Sequence, residues 1–276
     1  MKQLTFSQTI LMHAPEHFSV AYVINPWMEG QFANTDYELA QKQWAGLRVA
    51  IERHARVALQ PTQKGLPADA VFTANAGLVL GKKAIVSRFR CVERQPEEAH
   101  DRAWFADNGF EIVDWPQHVP FEGAGDALFD RGQQLLWVGY GFRSDRAVPA
   151  LLERMLGRKT AAVNLVDPRF YHLDTCLCPL AGGYLLYYPA AFDEPSRAAI
   201  EAAVPEAKRI AVEEADALKF CCNAVELEGE IILNDASEGL QNRLRRNGFA
   251  PVITPLSEFM KAGGAAKCLT LKLVEA

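Results

Sequence analysis

The chain has no long uninterrupted apolar run, no dense run of basic residues and no linker rich in proline, glycine or serine, and it carries only six cysteines and six histidines in 276 residues. Each absence closes off a class of protein. The N-terminal stretch MKQLTFSQTILMHAPEHF lacks the apolar core of a secretory signal, and no later stretch is long enough to span a bilayer as a helix. A soluble, cytoplasmic protein with no membrane partner is expected. The formal net charge is -5, and the basic cluster Arg243, Arg245 and Arg246 falls on a short helical pattern with acidic neighbours. That pattern reads as a solvated helix face, so no nucleic-acid partner is expected. The cysteines Cys91, Cys176, Cys178, Cys221, Cys222 and Cys268 follow no disulfide framework of small secreted domains. Structural zinc takes ligand pairs with two to four residues between them, which the CLC and CC pairs do not supply. Reduced thiols, no metal and no organic cofactor are expected.

What is present is a repeat. Five helical stretches are each followed by a short strand and then by a pair of strands around a turn. The first unit runs through YELAQKQWAGLRVAIERHA, ARVALQPT and VFTANAGLVLGKKAIVSRF. The second has EEAHDRAWFADNG, FEIVDWP and DALFDRGQQLLWVGYG, and the third AVPALLERMLG, AAVNLVD and HLDTCLCPLAGGYLLYYP. The fourth gives SRAAIEAAVPEAK, RIAVEE and NAVELEGEIILN. In the fifth, SEGLQNRLRRNG leads through a strand APVITPLSEF to KCLTLKL, whose missing partner can come only from the N-terminal QTILMHAP. Units recurring about every 50 residues are typical of propeller-like arrays, in which each copy buries its core against its neighbours. The reading is a single α/β domain over residues 1–276, closed by pairing the two ends of the chain.

In such a ring, the polar residues that begin each inner strand pair face a common axis. They are Asp69 and Asn75, Glu122 and Asp126, His172 and Asp174, Asn223, and Cys268. Cys268 follows a glycine pair and is expected to open the final strand. In an extended YHLDTC segment, His172 and Asp174, two apart, point to the same face. Taken singly, a cysteine in an apolar strand is more often a core residue, and a histidine beside a carboxylate is often a structural pair. Together, buried carboxylates, an imidazole and a thiol call for a cationic ligand or for chemistry. A guanidinium fits, because carboxylates grip its N–H fork while a thiolate attacks its carbon and a histidine shuttles protons.

The stretches INPWMEG, VFTANAGLVLG, FEGAGDALFD, GYGFRS, FYHLDTCLCPLAGGYLLYYP and GGAAKCLTLKL resemble the arginine dihydrolase branch of the guanidino-group-modifying superfamily, as found in the catalytic domains of cyanobacterial arginine-degrading enzymes. The resemblance covers essentially the whole chain and implies the five-bladed α/β propeller called a pentein. It also implies Cys268 as nucleophile forming a covalent thiouronium, His172 as general acid and base, and Glu122 as the carboxylate orienting the guanidinium. Asp174 is implied as part of the clamp, Arg94 and Arg143 as partners of the substrate α-carboxylate, and Asn25 as a loop residue near the amino-acid end. LPADAVF has one residue more than the family's usual Pro-Asp pair, which leaves the role of Asp69 open.

Asn75 bears on the product. Deiminases and dimethylarginine hydrolases of the superfamily generally carry aspartate there, whereas the dihydrolase branch carries asparagine, whose amide offers both a donor and an acceptor to a neutral ureido group. The implied activity is hydrolysis of L-arginine in two steps, through bound citrulline, to ornithine, carbon dioxide and two ammonia. Alternatives are a deiminase or dimethylarginine dimethylaminohydrolase stopping at citrulline, an amidinotransferase with a second amine pocket, and a sensor that binds arginine without turnover. The sequence is compatible with a homo-oligomer.

Overall fold

The computed structural model describes residues 8–273. β1 (Thr9–His13) leads through a long loop to α1 (Tyr37–Glu52), whose first turn is closed by Asp36, the carboxylate accepting from the Leu39 N–H at 3.0 Å. Ala40, Trp44, Leu47 and Ile51 fall on one face of this helix and are buried, which docks it on β2 (Arg56–Gln60), the strand that follows.

The chain then repeats one order, hairpin, helix, outer strand. β3 (Gly77–Leu80) and β4 (Lys83–Val86) precede α2 (Glu97–Asp107) and β5 (Glu111–Ile112). β6 (Ala127–Phe129) and β7 (Leu135–Tyr140) precede α3 (Val148–Leu156) and β8 (Lys159–Asn164). β9 (Leu177–Leu180) and β10 (Tyr184–Tyr187) precede α4 (Glu194–Ala203) and β11 (Arg209–Ala211). After the short α5 (Glu214–Ala217), β12 (Val225–Leu227) and β13 (Glu230–Leu233) precede α6 (Glu238–Arg246) and β14 (Ala250–Ile253). The last elements are α7 (Ser257–Met260) and β15 (Leu271–Lys272). In each three-stranded sheet the hairpin is antiparallel and the outer strand joins its second strand in parallel, as β3-β4-β5, β6-β7-β8, β9-β10-β11 and β12-β13-β14. The fifth sheet is β15-β1-β2: β1 pairs antiparallel with β15 through Ile10↔Lys272 and Leu11↔Leu271, and parallel with β2. The two ends of the described chain thus meet in one sheet, the closure expected of a ring.

Neighbouring sheets share their cores, so no unit is buried alone. Leu11 of β1 packs in one cluster with Leu78 and Val79 of β3 and with Ala127 and Phe129 of β6. Leu128 shares a second with Leu177 and Leu180 of β9, and Val225 and Leu227 of β12 share a third with Ile10 and Met12. Near the axis the inner turns approach so closely that Gly123, at φ +60°, has no room for a side chain: a Cβ there would lie 2.8 Å from the Gly77 carbonyl oxygen.

One element departs from the sequence reading. APVITPLSEF is not one strand, because β14 ends at Ile253 and Ser257–Met260 form α7. Pro255 has no N–H for the ladder, and the Leu256 N–H goes instead to Asn234 Oδ1 at 2.7 Å. Among the described residues no helix is long and apolar enough to cross a membrane.

Candidate active site

Each inner strand is preceded by a tight turn, and the polar residues sit in these turns. Asn75 lies in the 3-10 turn Thr73–Ala76, Glu122 precedes Gly123–Gly125, and His172 caps Leu173–Thr175, which contains Asp174. The expectation of an extended YHLDTC segment is therefore corrected: the chain from Leu173 to Thr175 is one helical turn, closed by Thr175 Oγ1 donating to the His172 carbonyl at 2.6 Å. Cys268 does not open a strand either. It lies in a turn ahead of β15, where the Leu269 N–H bonds the Ala265 carbonyl at 3.2 Å.

Asn223 shapes that turn. Its Oδ1 accepts from the Ala265 and Cys268 N–H groups at 3.0 and 3.2 Å, and its Nδ2 donates to the Asp174 carbonyl at 3.0 Å and to Cys268 Sγ at 3.1 Å. The repeat placed Asn223 on the axis, but nothing local in CCNA signals that its amide touches the thiol. Asp174 Oδ2 and Oδ1 lie 3.5 and 3.6 Å from Cys268 Sγ, and both residues are buried. Burial, and then the Asp174 carboxylate, push the Cys268 thiol well above its ordinary range. Burial also pushes Asp174 up to about 6, with the Lys267 ammonium opposing.

A second cluster surrounds His172. Its Nε2 is 2.7 Å from Glu122 Oε2, with 1% and 0% of the two side chains exposed. Burial pushes Glu122 up, but Arg143 and His172 outweigh it and hold the carboxyl well below the usual range. An ionised carboxylate only accepts, so Nε2 is the ring nitrogen that donates to it. Glu122 Oε2 also receives Arg143 NH1 at 3.2 Å, and Oε1 receives the Arg90 N–H at 3.1 Å. Both oxygens are engaged by protein donors, and Glu122 is a partner of the imidazole. Asp126 accepts from Ser144 Oγ at 2.7 Å and from the Leu173 N–H at 3.0 Å, holding the turn that carries His172.

Arg94 and Arg143 are both buried beside these clusters. Arg143 stacks on the Tyr171 ring at 4.5 Å and donates to the Ile24 carbonyl at 2.8 Å. Arg94 Nε and NH2 grip Glu97 at 2.8 and 2.6 Å, NH1 donates to Asn75 Oδ1 at 2.8 Å, and NH2 reaches the Asp69 carbonyl at 3.2 Å. Against the desolvation of burial, the Glu97 carboxylate holds Arg94 well above its ordinary range. Asp69 is buried, and its Oδ1 has no hydrogen-bond partner among the described residues. Asn25 is used locally: Oδ1 accepts from the Trp27 N–H at 3.0 Å and Nδ2 donates to the Ala262 carbonyl at 3.1 Å, tying the INPWM turn to the glycine pair ahead of Cys268. Among the described residues no group of His, Cys, Asp and Glu is arranged to hold a metal ion. Cys176, Cys178, Cys221 and Cys222 are buried in the core.

The family model for N,N dimethylarginine dimethylhydrolase, eukaryotic, matches residues 34–275. The chain belongs to this family. Within it, the chain is 53% identical over 266 residues to the bifunctional arginine dihydrolase/ornithine cyclodeaminase ArgZ of Synechocystis sp., a match covering 96% of this chain and 38% of ArgZ. It thus spans well under half the length of that relative. It is 41% identical over 264 residues to the N(G),N(G)-dimethylarginine dimethylaminohydrolase of Mycobacterium tuberculosis, covering 95% of this chain and 84% of that one. The crystal structure of a variant N-terminal domain of ArgZ covalently bound to a reaction intermediate superposes with a TM-score of 0.95 at 52% identity, covering 97% of this chain and 98% of that one. The fold is the pentein α/β fold, five three-stranded mixed sheets with helices.

Proposed function

We propose that the chain is an arginine dihydrolase, cleaving the guanidino group twice through enzyme-bound citrulline. The observation that carries this reading is the buried contact between the Cys268 thiol and the Asp174 carboxylate at 3.5 Å. A carboxylate that close keeps a thiol protonated, unless a cation lies against both and favours the charged forms. The substrate guanidinium is that cation: Asp174 receives its N–H groups, its charge favours the thiolate, the thiol proton passes to His172, and Sγ attacks the central carbon.

His172, oriented by Glu122, protonates the departing ammonia and then takes a proton from the water that breaks the thiouronium. Arg94, with one guanidinium N–H beyond the four bonds named above, and Arg143 face the α-carboxylate end. Asp69 offers a further buried carboxylate oxygen, unpartnered among the described residues. A second attack on the bound ureido group completes the balance of arginine plus two waters to ornithine, carbon dioxide and two ammonia. The likeness to the ArgZ domain, whose variant holds a covalent intermediate, supports the covalent route.

The test is to incubate the protein with arginine and quantify ornithine, citrulline and ammonia together. Two ammonia and one ornithine per arginine are expected; one ammonia with stable free citrulline would leave a deiminase. Asn75→Asp is expected to shift product toward citrulline, since a carboxylate favours the cationic guanidinium and offers no donor to a ureido oxygen. Undiminished ornithine from that variant contradicts the role given to Asn75.

Gly125→Ala probes the same place without replacing a polar side chain. A Cβ there would lie 2.3 Å from Asn75 Nδ2 and 3.4 Å from the His172 ring. Gly125 does not have a positive φ, so the backbone accepts alanine and the strain falls on the two site side chains. Arginine consumption is expected to drop by more than about tenfold, with roughly 1–3 kcal/mol lost in stability. Steady-state rates and thermal melts check both.

A further inference from the structure

The amide of Asn75 has two possible polarities, and its surroundings admit one. Arg94 carries donors and no acceptor, and its NH1 lies 2.8 Å from the Asn75 side chain, so the amide oxygen must face it. The amide NH2 is thereby turned the other way, 3.2 Å from the Glu122 carbonyl oxygen, in the space shared with Gly125 and the His172 ring. Arg94 is in turn held on three sides. Glu97 takes its Nε and NH2 at 2.8 and 2.6 Å, the Asp69 carbonyl takes NH2 at 3.2 Å, and the Phe89 ring lies 4.5 Å beneath the guanidinium. Glu97, Arg94 and Asn75 are all 2–3% exposed. The neighbouring Glu98 faces a different partner, Arg88, so the two adjacent glutamates of α2 have separate tasks.

We propose that Glu97, acting through Arg94, is a positioning residue that fixes the polarity of the Asn75 amide and so decides whether the ureido intermediate is held for a second hydrolysis or released. The proposal rests on the dihydrolase reading above. A ureido oxygen needs a donor, and the Asn75 N–H not engaged by Glu122 is the one this polarity presents. With the amide reversed, its oxygen would face the ureido oxygen. The site would still accept a cationic guanidinium, whose groups are all donors, but it would lose its hold on the neutral intermediate. Glu97 touches no reacting atom in this scheme, and its effect is read in the product ratio.

The experiment is Glu97→Gln in the full chain, incubated with arginine while ornithine and citrulline are both quantified. Glutamine sets an NH2 group against an Arg94 N–H, so the two-pronged grip is lost. The ornithine-to-citrulline ratio is expected to fall about tenfold, the effect of one unsatisfied or misdirected donor, with a smaller fall in arginine consumption. Glu97→Asp keeps the charge with one methylene less, is expected to move the ratio the same way by less, and serves where the glutamine variant does not fold. In an Asn75→Asp background, whose carboxylate has two like oxygens and no polarity to set, Glu97→Gln is expected to leave the ratio unmoved. A ratio unchanged in both Glu97 variants, with ornithine and citrulline lowered equally, marks a structural pair and overturns the proposal. Wild-type protein that releases citrulline and no ornithine overturns the dihydrolase reading and this proposal with it, so the two failures are told apart by the wild-type products.

Discussion

Cys268→Ala is expected to abolish arginine hydrolysis, by on the order of 10^5-fold or more as for removal of other enzymic nucleophiles, while leaving arginine binding intact. In the proposed mechanism the sulfur makes and breaks the covalent bond in both half-reactions, and of the other five thiols Cys91 alone is not buried. Cys176, Cys178, Cys221 and Cys222 are buried in the core, and burial pushes the thiols of Cys176, Cys178 and Cys222 up in pKa. The variant folds, because the turn that carries residue 268 is held by Asn223 Oδ1 on two backbone N–H groups, bonds that alanine keeps. Removing the thiol also frees Asp174 of its neighbour, so calorimetric titration with arginine is expected to give affinity equal to or tighter than that of wild type measured under single-turnover conditions. Residual turnover above about 1% of wild type, well beyond what binding and acid-base groups alone sustain, would exclude Cys268 as the nucleophile. Unchanged activity would point to a different thiol or to none.

The pieces of this site were legible in the sequence to different depths. The ring closure was open to inspection, because KCLTLKL and QTILMHAP each lacked a partner strand, and β15 pairs with β1 as that count requires. The placement of Asn75, Glu122, His172 and Cys268 at the mouths of inner hairpins followed from the same repeat. What period cannot carry is the bond pattern across units. The alternating apolar residues of KCLTLKL read as strand from Cys268 onward, yet the Asn223 amide, 45 residues away, holds Cys268 in a turn. Arg94 and Glu97 stand three apart in CVERQPEE, a spacing ordinarily found on solvated helix faces; here both are buried, and the pair serves Asn75 from behind. That the two oxygens of Glu122 meet His172, Arg143 and the Arg90 N–H was likewise not legible in FEGAGD. Which side chain a carboxylate meets depends on the direction of tight turns, and one 3-10 turn more or less redirects it.

Asp174→Asn is expected to lower kcat/KM for arginine by about 10^3-fold, equal to roughly 4 kcal/mol and within the range for truncating one partner of a buried, hydrogen-bonded charge pair. The same change is expected to raise thermal stability at neutral pH, and the two effects share one cause. Burial lifts the folded-state pKa of Asp174 from 3.8 to about 6. Between those values the folded protein keeps a proton that the unfolded chain has lost. The stabilisation is fully present below pH 3.8 and is lost as pH rises through about 6. Above that, holding Asp174 ionised in an empty site costs about 3 kcal/mol. Asparagine removes this cost without changing the volume of the side chain, so its advantage in melting temperature appears at pH 7 and fades as pH falls through 6 toward 4. Bound arginine reverses the balance in wild type, because the guanidinium compensates the carboxylate, and saturating arginine is expected to stabilise wild type far more than the variant. In wild type, kcat/KM is expected to fall on the acid side with an apparent pKa near 6 as Asp174 protonates, and that limb is expected to be missing from the residual activity of the variant. Activity retained within tenfold of wild type, or an acid limb that persists in Asp174→Asn, would assign the guanidinium contact to another group, and Asp69, buried with an oxygen unpartnered among the described residues, is the next to be substituted.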